Sequence, residues 1–205
     1  MSTFVTLQPP ENSQHLKEIN LELAGYGVEN YDFDFRKKYN KKTLPWAQLC
    51  SWQKDAICRL RTIAIELEYN PHWTPEEPSI FVDQPILNDL VQEVFGSKQS
   101  HFVYHWTWYG SYVPVQFPNI NSPEKILSTL GSSINLVNEL RELAYKLCFD
   151  ITKCQPYFRS DYHIYFSEDF EQYTNDVLCN EKYVLLELYT MALASIEHNL
   201  MIRID

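Results

Sequence analysis

Helix-type and strand-type segments follow one another in an irregular order along this chain, and that order restricts its fold more than any other feature. Apolar residues recur at spacings of three and four over residues 47–69, which predicts a helix with one buried face. The same spacing predicts a helix after Gly131, capped by Ser132 or Ser133, and another that is strongest over residues 183–197. Shorter helices are predicted over residues 83–95 and from Ser122 onward.

The strand-type segments are short and rich in β-branched and aromatic residues. Because strands and helices do not alternate regularly, a doubly wound parallel sheet is disfavoured. We therefore predict a single α+β domain over residues 1–205, with about five helices packed on a small mixed or antiparallel sheet. Residues 11–44 look polar and irregular. The predicted strands are residues 3–7, 79–82, 101–106, 112–117, 162–166 and 200–204.

Residues 101–117 are the most unusual part of the sequence, because aromatic residues and two histidines are concentrated there. We interpret this segment as an aromatic-rich hairpin that turns near Gly110. Tyrosine and tryptophan suit binding surfaces, since each combines a large apolar ring with a polar group. The alternative interpretation is an ordinary packed pair of strands. The predicted binding residues are Trp106, Trp108, Tyr109, Tyr112 and Arg159.

We recognise no motif in this sequence that is typical of a metal site, a nucleotide-binding site or a catalytic nucleophile. His101 and His105 would lie about 13 Å apart on a strand, which is too far for them to share an ion. The chain has no Gly-rich phosphate-binding motif, no Walker sequence and no G-x-S-x-G turn. We expect neither a metal nor a cofactor.

The net charge is −10, from 27 acidic and 17 basic residues. So acidic a chain would repel a phosphate backbone, and we therefore expect no binding to nucleic acid. Paired carboxylates such as Asp32 and Asp34 have an ordinary explanation as surface residues. One basic cluster interrupts the acidity, and we interpret it as a solvated loop, with a contact for an acidic partner or for an acidic patch of a second copy as the alternative. Its members are Arg36, Lys37, Lys38, Lys41 and Lys42.

The five cysteines indicate a reducing compartment, because their number is odd and no C-x-x-C spacing occurs. The first ten residues lack a basic region followed by an apolar run, so they do not resemble a signal peptide. The longest apolar stretch is too short to span a bilayer. We expect a cytoplasmic protein with no membrane association.

Three functions remain open, and the first is favoured over an enzyme. The first is a non-catalytic protein-binding protein, such as an immunity protein to a toxin, an inhibitor or an accessory protein, whose acidity would speed encounter with a basic target. The second is an enzyme acting on a small molecule in a cleft lined by the 101–117 hairpin, with His105 as acid or base and Tyr109, Tyr112 or Asp161 assisting. The third is a self-associating protein that forms a symmetric homodimer.

Overall fold

Three of the four α-helices in the described part of the chain lie where the apolar spacing predicts them. The structure is a computed structural model, and it describes residues 3–25, 27–39, 44, 46–49, 51–70, 72–74, 100–103, 105, 110–118, 129–154, 156–158, 164–166 and 168–204. The helices are α1 (Ser13–Gly25), α2 (Ser51–Tyr69), α3 (Ser133–Lys146) and α4 (Cys179–His198), with a 3₁₀ helix at Glu168–Tyr173. The strands are β1 (Thr3–Gln8), β2 (Trp46–Leu49), β3 (Gly110–Val113), β4 (Leu130–Ser132), β5 (Pro156–Phe158), β6 (Ile164–Phe166) and β7 (Met201–Ile204).

Five of these strands form one mixed sheet in the order β2-β1-β7-β3-β4. All its pairs are antiparallel except β3 with β4, and β5 and β6 form a separate antiparallel pair. The first and last described strands are neighbours, with Val5 opposite Ile204. The predicted α+β class and the mixed sheet are therefore confirmed, with four α-helices described where about five were expected.

The core lies between one face of the sheet and the helices, with α4 at its centre. Helix α4 packs against α2, α3, β1 and β7. Its residues from Val184 to Ala192 are all buried, as expected for a helix surrounded by other elements. No described helix combines the length and the apolar character that crossing a membrane requires.

Helix α1 is the described helix that the sequence analysis missed. Strands β2, β4 and β5 were not predicted either, and β2 lies where the predicted helix of residues 47–69 was expected to begin. The apolar residues Leu16, Ile19 and Leu23 of α1 have helical spacing, but they stand in a run of polar residues. The Asn12 side chain accepts hydrogen bonds from the backbone N–H groups of Gln14 and His15, both at 2.9 Å, and so caps the helix. Ile19 and Leu23 are buried, whereas most other residues of α1 are exposed.

The predicted hairpin over residues 101–117 is wrong in its described part. Residues 101–103 form a turn and not a strand, and the described neighbours of strand β3 are β7 and β4. High aromatic content indicates a strand but does not identify its neighbours, which here are distant in sequence. The strand predicted at 79–82 and the helices predicted at 83–95 and from Ser122 lie outside the described residues.

Helices α1, α3 and α4 end in the same backbone motif, in which one residue adopts the left-handed conformation. Gly27, Cys148 and Asn199 take this position, with φ of 70°, 51° and 53°. In each case the next N–H bonds back to the carbonyl five residues earlier, at 3.1, 2.9 and 3.0 Å. Glycine and asparagine tolerate this conformation well, whereas a cysteine is strained there.

Replacing Cys148 by glycine is therefore expected to stabilise the protein by about 1 kcal/mol, because the strain is relieved without loss of packing at an exposed position. Urea unfolding followed by circular dichroism measures the change. Cys148→Ser is the matched control, since it removes the thiol but keeps the Cβ atom. Equal stability of the glycine and serine variants would contradict the explanation.

Candidate protein-binding surface

A row of carboxylates, which we call the groove row, follows one flank of α1. It consists of Glu11, which precedes the helix, and of Glu18 and Glu22, which lie about one helical turn apart. All three are exposed, and the amide of Gln14 donates to Glu18 Oε1 at 3.1 Å. Residues four apart lie on the same side of a helix and about 6 Å apart along its axis. Glu18 and Glu22 thus form a line of negative charge on one side of α1, with Glu11 before its first turn.

A cavity of about 410 Å³ lies beside the groove row, where the start of α1 meets β3 and β7. Glu11 and Glu18 line it from the helix side, and Ser111 and Arg203 line it from the sheet. The guanidinium of Arg203 donates to Glu11 and lowers the pKa of that carboxyl. Glu11 is therefore partly neutralised within the molecule.

A second row of carboxylates, which we call the loop row, lies on the segment after α1. It consists of Glu29, Asp32 and Asp34, all exposed. The Asn20 side chain joins this segment to α1 through two hydrogen bonds with the backbone of Tyr31. Because a helix turns once in about 3.6 residues, Asn20 lies on nearly the opposite flank from Glu18 and Glu22. The segment with the loop row is therefore attached to the opposite side of α1 from the groove row.

The loop row ends at the start of the basic cluster. Arg36 pairs with Asp34, with 2.9 Å between Nε and Oδ1, and hydrogen bonds from Arg36 lower the pKa of that carboxyl. Arg36, Lys37 and Lys38 are all exposed, which agrees with the predicted solvated loop for this part of the cluster. Lys41 and Lys42 lie outside the described residues.

The structure buries both histidines that the sequence analysis singled out. His101 and His105 are each only 2% exposed. The His105 ring stacks on Tyr112, with 4.0 Å between ring centroids, and its Nε2 lies 3.1 Å from the Ser111 carbonyl. A cleft open to a substrate, which an acid or base at His105 requires, is not found around this ring in the described part of the chain.

His101 belongs to a buried polar network that fixes the turn at residues 100–103. Its Nδ1 accepts from the backbone N–H of Ser132 at 3.0 Å, so Nε2 carries the proton and donates to the Phe117 carbonyl at 2.9 Å. Burial lowers the pKa of His101 to about 4, so the ring is neutral near pH 7. The network is structural in character, because each ring nitrogen is already bonded.

Glu139 on α3 holds the other side of the same turn. Its carboxylate accepts hydrogen bonds from the Ser100 hydroxyl at 2.5 Å and from the backbone N–H groups of His101 and Phe102 at 2.6 and 3.2 Å. Burial raises the pKa of this carboxyl, while the three donors act against that effect. No group of three or more His, Cys, Asp or Glu side chains within the described ranges could hold a metal ion.

Most of the predicted binding residues lie outside the residues that the structure describes. Tyr112 is 5% exposed and donates its hydroxyl to the His101 carbonyl at 3.1 Å, so it belongs to the interior and not to an exposed surface. The other candidates stay predictions. Trp106, Trp108, Tyr109, Arg159 and Asp161 lie outside the described residues.

The fold and the two carboxylate rows define an α+β protein with a strongly acidic exposed surface around α1. A family described as "Putative DNA-mimic protein" matches residues 7–204. The chain belongs to this family. Neither a curated protein nor a solved structure matches the chain.

Family membership corrects two predictions made from the sequence. The function prediction was a non-catalytic protein-binding protein of the immunity, inhibitor or accessory kind, with a small-molecule enzyme as the alternative. It is wrong, because the family is described as "Putative DNA-mimic protein", and only its expectation of protein binding fits that description. The partner prediction is also wrong. It named a protein partner, which fits the family, but it did not identify DNA-binding proteins, which a DNA-mimic family implies, and its possible homodimer has no support.

Sequence reasoning missed both carboxylate rows, although a signal for them was present. Residues 11–34 contain six carboxylates and a single lysine, Lys17. Each acidic residue has an ordinary explanation as a surface residue when taken alone. Their arrangement becomes visible only once α1 is recognised and Asn20 is seen to hold the following segment against it.

Proposed function

We propose that this protein is a DNA mimic, which occupies the DNA-binding surface of a DNA-binding protein and presents carboxylates in place of phosphates. Such surfaces carry lysine and arginine side chains that neutralise phosphates, and duplex DNA offers them one negative charge per about 1.7 Å of its axis. The observation that carries the proposal is the pair of exposed carboxylate rows on either side of α1. Membership of the family supports the same conclusion.

We infer the separation of the two rows from the width of α1, which lies between them. An α-helix with its side chains is about 10–12 Å wide, which sets the scale of the separation between the rows. The major groove of duplex DNA is about 12 Å wide. A basic surface shaped to contact phosphates on both sides of a groove could therefore contact the groove row and the loop row together.

Four carboxylates of the two rows are available to a partner. Glu11 and Asp34 are engaged by Arg203 and Arg36. For Glu18, Glu22, Glu29 and Asp32, no ion pair with a cation is found among the described residues. Exposed carboxylates without a bound cation attract basic surfaces over roughly a Debye length, about 8 Å at physiological salt.

Capture and release with DNA tests the proposal. The protein is immobilised and exposed to nuclease-treated lysate of its own cell, and retained proteins are eluted with duplex DNA or with polyglutamate of equal charge. We expect duplex DNA to release DNA-binding proteins more efficiently than polyglutamate does. We also expect a released protein, once purified, to lose a labelled duplex as this protein is added.

Two outcomes would count against the proposal. Retained proteins that duplex DNA does not release would not bind through a DNA-binding surface. A ternary complex of partner, duplex and this protein would place the contact elsewhere on the partner.

A further inference from the structure

The segment that carries the loop row has no regular secondary structure, yet side chains hold it at several points. Tyr31 N–H donates to Asn20 Oδ1 at 2.7 Å, and Asn20 Nδ2 donates to the Tyr31 carbonyl at 3.1 Å. One amide side chain thus satisfies both backbone groups of one residue, as a neighbouring strand would. These two hydrogen bonds attach the middle of the segment to α1.

The Tyr31 ring adds a second attachment, to the C-terminal end of α4. The ring is 1% exposed, and its hydroxyl donates to the Asn199 carbonyl at 2.9 Å. Asn199 in turn donates its side-chain amide to the Asp32 carbonyl at 2.9 Å. Asn199 therefore both ends α4 in the left-handed conformation and holds the loop row.

These contacts bear on binding because ordering a flexible segment opposes association. Each backbone residue that must be fixed on binding loses conformational entropy, which weakens the association. A loop row that is already fixed before contact avoids this cost, and it meets a rigid basic surface at a set distance from the groove row. A flexible polycation, which adapts its own shape, would not distinguish a fixed row from a mobile one.

We propose that Asn20 is a positioning residue for the loop row, which it fixes against α1 before a DNA-binding protein is engaged. The partner then contacts the two carboxylate rows at one separation. This inference rests on the proposed function above. It assigns a role to an uncharged side chain that contributes nothing to the negative potential.

Asn20→Ala removes both hydrogen bonds to Tyr31 and changes no charge, so it tests the inference directly. Two probes are used, the purified protein that duplex DNA releases in the capture experiment and a nona-arginine peptide. We expect Asn20→Ala to weaken binding of the DNA-displaceable protein by about tenfold. We expect the affinity for nona-arginine and the slope of log Kd against log salt to stay unchanged, because the number of carboxylates is the same.

Two further measurements separate positioning from general destabilisation. Hydrogen exchange of the Tyr31 amide should become faster in Asn20→Ala, while thermal unfolding and circular dichroism show that the fold is retained. Tyr31→Phe, which loses only the hydroxyl bond to Asn199, should give a smaller effect in the same direction. If Asn20→Ala binds both probes as the wild type does, the inference is overturned. If the wild type itself has no DNA-displaceable partner, the proposed function fails instead, and the inference with it.

Discussion

Replacing both Glu18 and Glu22 by lysine is expected to weaken binding of the DNA-displaceable partner by at least about a hundredfold at low salt. Both side chains are exposed and lie in the groove row, so the two lysines would face a basic partner surface with like charge. Lysine forms helices about as well as glutamate, so α1 should persist. Displacement of a labelled duplex from the partner, measured over a range of salt concentrations, gives the effect. It should shrink as salt rises, because exposed charges are screened.

The matched control reverses two exposed carboxylates on other elements, Asp55 on α2 and Glu171 in the 3₁₀ helix. Each reversal adds two positive charges, so both double variants change the net charge from −10 to −6. We expect the control to lose much less affinity than the α1 variant. Equal losses would mean that the partner responds to total charge, and the two rows around α1 would then have no special part in binding.

The main helices of this fold were predictable because their signal is local. The spacing of apolar residues located α2, α3 and α4, and the Ser132 side chain caps α3 by accepting from Asn135 N–H as the sequence suggested. Strand pairing was not predictable in the same way. Strand β3 pairs with β7, which lies about ninety residues away, and nothing in the residues around Gly110 encodes that partner.

The candidate surface was hidden for a different physical reason. Helix α1 has few buried residues, so the helical spacing of its apolar residues is weak. Its carboxylates are exposed, and a search for the apolar spacing of a buried helix face does not detect exposed residues. The acidity of the chain opposes binding to phosphate itself. A chain that repels DNA nevertheless attracts the same basic protein surfaces that DNA attracts, and this consequence of the charge was missed.

Glu187→Gln is expected to stabilise the protein at pH 8 by an amount on the order of a few kcal/mol and to flatten its stability between pH 4.5 and 8. Glu187 is 1% exposed, and its Oε2 accepts from Gln53 of α2 at 2.8 Å. Its Oε1 has no hydrogen-bond partner within the described part of the chain. Burial raises the pKa of this carboxyl to about 8.

The sign follows from the direction of the shift. The folded protein holds the Glu187 proton up to about pH 8, whereas the unfolded chain releases it near the ordinary value of 4.5. Stability from this group is therefore complete below pH 4.5 and falls as pH rises towards 8. Glutamine keeps a carbonyl acceptor for Gln53 and has no proton to lose. The stability of the Glu187→Gln variant should therefore not fall between pH 4.5 and 8. Urea unfolding at several pH values measures the free energy of unfolding of both proteins. Glu197→Gln, at an exposed position on the same helix, is the control. Parallel stability curves for the wild type and Glu187→Gln over this range would show that Glu187 ionises as readily in the folded protein as in the unfolded chain.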